Sequence, residues 1–377
     1  MDFFKQKTLI RFINPSLLSS SDNKNPNLLR IQLIIIYKMA QLSVEQRFEL
    51  IKRNTAEIIG EEDLKKLLKE KKTPVAYLGT APTGKPHVGY FLWGLKVCDL
   101  LKAGFHVKIL LADIHAVLDN TPWSIIDARY DYYAAIIPEM IKALGADTKE
   151  LEFVKGSEMQ LKPEYMYDLL QLSSHVSVHD CEKAASEVVK MGDNPKLSGL
   201  IYPLMQACDE QYLGVDVQLG GTDQRKIMVL ARENLPKIGY ERRIELMNPL
   251  LPGLIGKKMS SSDPNTKIDL LDNEEAVKKK LNKAEFIEGD IDNGVMAFLE
   301  YFLMVIKKDK KEKLLIERPE KFGGNVEYSD FEVIKKDVIS KKLHPMDVKL
   351  AVAKEISKIL SNIDRKKVEP LEKKAYS

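Results

Sequence analysis

The chain is poor in the features that mark extracellular, metal-bound or membrane proteins. Its three cysteines, Cys98, Cys181 and Cys208, have no metal-ligand spacing, and an odd, scattered set suits a reducing compartment rather than a disulfide framework. No apolar run approaches the roughly 18 residues of a membrane-spanning helix. "LIIIY" at 33–37 comes nearest and stops well short. An excess of one charge is also missing, since 58 basic residues meet 55 acidic ones and leave a net charge of +3. That balance neither demands nor excludes nucleic acid, which a local basic patch can meet. What remains is an ordinary globular composition, 44% hydrophobic and 30% charged, in 377 residues: room for two domains and a tail.

The tail is residues 1–38. Lys5, Lys7, Arg11, Lys24, Arg30 and Lys38 stand there against Asp2 and Asp22, among serines and asparagines. An organelle-targeting segment, a disordered extension and an in-frame start ahead of Met39 all fit that composition. From Ser43 the pattern turns regular. "SVEQ" reads as a capping box, and the following residues keep helical spacing as far as Gly60. After a helix through "EDLKKLLKE", strands and helices alternate: "PVAYLG", a helix from His87 to Ala103, "HVKILLAD", a helix opened by "TPW" and closed at Gly145, "LEFVKG", then "VDVQLGG" and a helix from Thr222. This alternation predicts an α/β fold with a parallel sheet, whose ligands gather at the carboxyl ends of strands. Gly79 and Gly220–Gly221 occupy such ends. Beyond about residue 270 only helices are expected, the first capped by Asp272 with Glu275 completing the box, and 23 basic residues there face 21 acidic ones.

Three stretches carry chemistry. "YLGTAPTGKPHVGY" at 77–90 nearly spells a P-loop, but Pro86 stands where a Mg²⁺-binding hydroxyl belongs and pushes Lys85 out of the helical region. Proline suits the first position of a helix, so one should begin here with His87, Gly89 and Tyr90 in its opening turn, a place for an anion. "GKKMSSSD" at 256–263 puts two lysines and three hydroxyls after a glycine, either a polyphosphate cover or a solvated serine turn. Tyr202, Gln206 and Asp209 share one helical face, either a polar site stripe or the outer side of an amphipathic helix.

Together these stretches resemble a known family. "PHVGY" is similar to the His-Ile-Gly-His signature of class I aminoacyl-tRNA synthetases, without its second histidine. "KMSSS" at 258–262 is similar to their Lys-Met-Ser-Lys-Ser signature, with Ser261 at the second lysine. "YPLMQACDEQYLGVDVQLGGTDQRKI", "LLADIHAVLDN", "MNPLLPGL" and "LHPMDVK" resemble the tyrosyl members of eukaryotes and archaea, from about residue 43 onward. The resemblance implies a Rossmann-like catalytic domain at 39–270 and an all-helical anticodon-binding domain at 271–377. The extra C-terminal domain of human-type members has no counterpart in this sequence.

The same resemblance implies the roles. Tyr77 and Asp209 would bind the phenolic hydroxyl of L-tyrosine. Tyr202, Gln206 and Gln224 would hold its amino end, with Gln160 and His115 at further pocket positions. ATP, accompanied by Mg²⁺, would meet Gly79, Gly84, His87 and Gly89, and Lys257, Lys258, Met259, Ser260, Ser261 and Ser262 of the second signature. His87 and Lys258 would act in catalysis. Phe322, Asp347 and Arg225 would contact tRNA(Tyr), in a cytoplasmic homodimer with no protein-ligated metal and no membrane attachment. The physics suits these roles, because a buried phenol needs both an acceptor and a donor, and phenylalanine would leave them unpaired. Other readings are a tryptophanyl relative lacking the Tyr77–Asp209 pair, a nucleotidyltransferase without an anticodon module, and a synthetase-derived RNA-binding protein without catalysis.

Overall fold

The computed structural model describes residues 42–189, 192–253 and 267–377. Residues 1–38 and the second signature, Lys257 to Ser262, lie outside them. The alternating pattern yields α1 (Val44–Lys52), β1 (Glu57–Ile59), α2 (Glu61–Glu70), β2 (Val75–Thr80), α3 (Tyr90–Lys102) and β3 (His106–Leu111). Then come α4 (Asp113–Leu118), α5 (Ile126–Ala143), β4 (Leu151–Lys155), α6 (Gly156–Gln160), α7 (Pro163–Ser173) and α8 (Val178–Ala185). The long α9 (Leu197–Tyr212), β5 (Val217–Gly221), α10 (Arg225–Asn234) and β6 (Ile244–Asn248) complete the sheet region.

The six strands lie in the order β1-β6-β5-β2-β3-β4, and only the β1–β6 pairing is antiparallel. From β2 the chain winds outward through β3 to β4, then returns to lay β5 on the other side of β2. A crevice opens where the winding reverses, past the ends of β2 and β5, as expected of such sheets. Fully buried Val107, Ile109, Val217 and Leu246 hold the strands between helical layers, each stabilising the fold by about 1.5–3 kcal/mol relative to exposure.

The local readings need four corrections. The first helix stops at Lys52, and the isoleucines before Gly60 form the edge strand β1 instead, paired with β6. The segment "IELMN" is the strand β6, which so short a run does not announce in sequence. The helix after Pro86 begins only at Tyr90, because His87 is held in an extended bridge with Asp269. The helix near 272 is capped by Asn273, whose side chain accepts from the Ala276 N–H, while Asp272 turns back to the Asp269 N–H at 2.9 Å.

The later part is helical but for one two-stranded ribbon. It comprises α11 (Glu274–Asn282), α12 (Gly294–Phe298), a π turn at Leu299–Leu303, α13 (Met304–Lys310), β7 (Leu314–Ile316), β8 (Val326–Tyr328), α14 (Phe331–Ile339), α15 (Pro345–Leu360) and α16 (Arg365–Ala375). The ribbon corrects the all-helical expectation; its three-residue strands are too short for a period to register in sequence. Arg47–Ser377 form one compact unit. Inside it, Arg53 is bidentate to Asp309 at 2.7 and 2.9 Å and also pairs with Asp99, while Lys102 reaches Asp309 at 2.9 Å. These contacts fasten α13 to the sheet region.

Candidate active site

The crevice past β2 and β5 holds a cavity of about 330 Å³. Tyr77, Gly79, His87, Gly89, His115, Tyr202, Gln206, Asp209 and Gln224 all line it, so residues from distant parts of the chain converge as the motifs implied. Gln160 lies just behind the wall. Gly84 lines an adjoining cavity of about 1500 Å³, which shares Ala81, His87, Tyr90, Tyr202, Asp223 and Gln224 with the smaller one.

The stripe on α9 faces inward. Asp209 is only 1% exposed, which excludes the solvated-face reading. Its Oδ1 accepts from Gln160 Nε2 at 2.8 Å and shares the single Tyr165 hydroxyl proton, at 2.9 Å, with the Met205 carbonyl at 2.7 Å. Gln160 Nε2 also contacts His115 Nδ1 at 3.1 Å, so that nitrogen is the acceptor and Nε2 carries the proton. This Nε2 points toward Asp209 Oδ2, 3.7 Å away, and has no hydrogen-bond partner among the described residues. Burial pushes the Asp209 carboxyl up to about 7, partly offset by the Gln160 and Tyr165 hydrogen bonds, and holds His115 down at about 4. A carboxylate ringed by donors, with one oxygen short of a partner, is built to accept one more proton donor.

Tyr77 supplies the complementary hydroxyl. It is 1% exposed, and burial first, then nearby Asp209, raises its pKa well above the ordinary phenol value, so it stays a neutral donor. Its present partner is the Gln206 carbonyl at a long 3.4 Å. In register across the sheet, Tyr77 stands beside Gln218, and Gln218 beside Glu245. The carboxyls of Glu245 and of Glu210, next to Asp209 on α9, are fully buried and have no hydrogen-bond partners among the described residues. Burial raises both, Glu245 to about 8, with Arg232 and Arg243 partly offsetting the rise.

At the rim, Gln206 donates to Gln224 Oε1 at 3.2 Å, and His115 packs edge-on against Tyr202 with centroids 4.6 Å apart. Gly220 permits this closeness: a Cβ there would lie 2.6 Å from Met228 and 3.1 Å from Gln224. The neighbouring Arg225 is engaged bidentately with Glu57 at 2.7 and 2.9 Å.

Toward the larger cavity, His87 Nδ1 accepts from the Gly89 N–H at 3.1 Å, so the proton of the neutral ring sits on Nε2. Burial and the adjacent Lys267 hold its pKa near about 4, so the donor is neutral. The loop is pinned by residues just past the second signature: Val88 N–H donates to Ile268 O at 2.9 Å, and Lys267 Nζ to Lys85 O at 3.2 Å.

Phe322 and Asp347 stand apart from these cavities. Phe322 closes a short turn before Gly323 and Gly324, whose φ values of 98° and 69° only glycine adopts easily, and its ring is 61% exposed. It is not a core aromatic. Arg318 bridges this turn to the approach to α15 by donating to Gly324 O and Lys342 O, each at 3.0 Å. The cap of α15 is His344; Asp347 lies half-buried in its first turn.

Sequence reasoning missed Tyr165, Gln218, Glu210 and Glu245. Tyr165 had a usable signal, since a tyrosine on the apolar stripe of α7 needs a buried partner for its hydroxyl. Gln218 and Glu245 are polar residues amid apolar runs and Glu210 stands in the polar triplet Asp209–Gln211, and nothing in a single sequence says which way they point.

The family described as tRNA synthetases class I (W and Y) matches residues 69–361. The cytoplasmic tyrosine–tRNA ligase of Danio rerio is 48% identical over 340 residues, 89% of this chain and 63% of that protein. The chain thus spans less than two thirds of that relative's length. The cytoplasmic tyrosine–tRNA ligase of Saccharomyces cerevisiae is 46% identical over 333 residues, 86% of this chain and 84% of the yeast protein. Among solved structures, tyrosyl-tRNA synthetase from Archaeoglobus fulgidus, complexed with L-tyrosine, superposes with a TM-score of 0.79 at 39% identity, over 86% of this chain and all of that one. The switch-point cavity, the histidine-glycine loop at its mouth and these similarities agree, and the chain belongs to the class I tRNA synthetases of the tryptophanyl and tyrosyl branch.

Proposed function

We propose that the protein is a tyrosine–tRNA ligase. The observation that carries this reading is the Asp209 carboxylate, buried and surrounded by donors in a cavity whose opposite polar group is the Tyr77 hydroxyl. A phenol entering there donates to Asp209 and accepts from Tyr77. An indole N–H has no lone pair for the Tyr77 donor, so the pair favours tyrosine over tryptophan.

The reaction runs in two steps. A tyrosine carboxylate oxygen attacks the α-phosphorus of ATP, the bond to the bridging oxygen breaks, and pyrophosphate leaves with that electron pair. A ribose hydroxyl at the tRNA 3′ end then attacks the tyrosyl carbonyl and expels AMP. Neither step calls for a protein nucleophile; positioning and charge stabilisation supply the rate. Tyr202, Gln206 and Gln224 orient the amino end, with Gln160 and His115 supporting Asp209. Neutral His87 donates through Nε2–H to the phosphates, and Gly79, Gly84 and Gly89 give the nucleotide close access. Lys258, with Lys257 and the serines of the second signature, neutralises the leaving pyrophosphate. Mg²⁺ enters bound to ATP.

Residues 39–270 act as the catalytic domain and 271–377 read the anticodon of tRNA(Tyr). The exposed Phe322 ring suits stacking on an unpaired base, and Asp347 suits an edge contact beside it, with Arg318 linking the two segments. Arg225 reaches the acceptor end on exchanging its Glu57 partner. The apolar face of α7, where Met166, Tyr167 and Leu170 are exposed at helical spacing, supports a homodimer. The relatives' names support a cytoplasmic location. Among the described residues no helix is long and apolar enough to cross a membrane. ATP–pyrophosphate exchange with tyrosine, phenylalanine and tryptophan tests the reading. Tyrosine alone should support it, and equal exchange with tryptophan refutes the assignment.

A further inference from the structure

The segment at 83–85 is held from outside the sheet, by α5 and by the final helix with the tyrosine after it. Arg129 on α5 donates to the Thr83 carbonyl, and Tyr133 Oη donates to the Gly84 carbonyl at 2.6 Å. Lys85 pairs with Glu372 of α16 at 2.8 Å. Tyr376 then closes the cluster: its ring lies 5.0 Å from the Arg129 guanidinium, 5.5 Å from Lys85 Nζ and edge-on to Tyr132 at 5.6 Å. The helix carrying these groups is itself fixed along α5 by Lys367–Glu139 at 3.4 Å and Lys374–Asp131 at 3.6 Å. Tyr376 lines the larger cavity together with Gly84, Lys85 and His87.

We propose that Tyr376 and Glu372 are positioning residues for the ATP half-reaction, an internal splint that sets the 83–87 segment through Arg129 and Lys85. The inference rests on the ligase reading for its consequence but not for its geometry. One aromatic face between two cations links a basic residue already bonded to the loop backbone with another that belongs to the loop. Loss of that face removes a packing contact from Lys85 and Arg129 together, leaving each to its remaining partner, and loosens the backbone that presents Gly84 and His87 to the nucleotide. The hydrogen bonds around Asp209 and Tyr77 involve none of residues 83–87, so the phenol end of the tyrosine pocket keeps its contacts. The signature is therefore selective: ATP recognition suffers and tyrosine recognition does not.

The test uses the full chain with Tyr376→Leu, Tyr376→Phe and, as an independent release of the same loop, Arg129→Met. In pyrophosphate exchange, Tyr376→Leu and Arg129→Met should raise the ATP KM by about fivefold, the scale of one or two cation–π contacts, with the tyrosine KM unchanged. Tyr376→Phe keeps the ring and should behave as wild type. Hydrogen exchange at residues 81–89 should quicken in the Leu and Met variants and stay slow in the Phe variant. Parallel rises in both KM values, or a lowered melting temperature with an unchanged ATP KM, overturn the splint. Should the wild type show no tyrosine-dependent exchange, the ligase reading falls separately. Hydrogen exchange then decides the splint, and no quickening in Tyr376→Leu refutes it.

Discussion

Asp209→Asn separates recognition of the phenol from stability of the fold. The amide is nearly isosteric, and its oxygen can take over the donations from Gln160 and Tyr165. Its NH₂ must then point where the carboxylate Oδ2 faced His115 and the cavity. A bound phenol would meet two donors, this amide and Tyr77, with no acceptor for its own proton. Loss of one charge-assisted hydrogen bond in a desolvated site costs about 1.5–3 kcal/mol, or about 10- to 150-fold in kcat/KM for tyrosine. Phenylalanine makes no such bond, so its residual activation should hardly change and the tyrosine-to-phenylalanine ratio should fall by the same factor. Stability should move the other way. With the folded-state pKa raised to about 7 from the model-compound value of 3.8, the folded protein retains a proton that the unfolded chain releases. The wild type therefore loses stability as pH rises through that interval, whereas the amide does not. Melting curves at about pH 8 should show the variant at least as stable as the wild type, with its relative advantage shrinking toward about pH 5 and gone only below the ordinary carboxylate value of 3.8. Equal losses toward both amino acids would refute the phenol contact. A variant that melts much earlier at the higher pH would refute the buried-charge argument.

Lys258→Ala should slow adenylate formation by about 10²–10³ with little change in tyrosine affinity, as for one donor to a developing anion, and single-turnover kinetics decide it. Asp347→Ala should leave pyrophosphate exchange intact while tRNA charging falls by about 1–3 kcal/mol in kcat/KM, the scale of one base-edge contact. That loss should vanish with a tRNA whose first anticodon base is already wrong, and unchanged charging of the cognate tRNA excludes the contact. Asp309, held near about 2 by its hydrogen bonds to Arg53 and Lys102, stabilises the fold above the ordinary carboxylate pKa and loses that contribution as pH falls toward 2. After solvent screening this amounts to about 1–2 kcal/mol, so urea midpoints of the wild type and Asp309→Asn should converge from about pH 4 downward. A constant gap would assign the effect to packing.

The order of strands and helices was legible because apolar runs and capping residues repeat with the period of the element they build. The convergence of Tyr77, His87 and Asp209 was legible because a parallel sheet gathers its strand ends on one side. Edges were not. The "AEIIG" segment satisfies a helical and a strand pattern alike, and only β6, almost 190 residues later, decides between them. Pro86 permits a helix that would include His87; the bridge to Asp269 that keeps His87 out of it depends on a contact that no local window contains. The donors around Asp209 follow the same rule. Gln160 and Tyr165 reach it from two separate helices, and their meeting is a product of packing rather than of spacing.

The short edge strand β1 bears on how the protein fails. It contributes three residues, runs against the direction of the other five, and begins with Glu57 tied to Arg225. An edge this brief and charged offers little to a neighbouring chain, whereas β6 behind it is buried along its whole length and carries "IELMN". Peeling β1 away would uncover the unpaired backbone edge of β6, of the kind that templates intermolecular pairing. Breaking the contact from the Glu57 side, with Glu57→Gln, should therefore appear first as turbidity on mild heating, with pyrophosphate exchange by the surviving soluble fraction untouched.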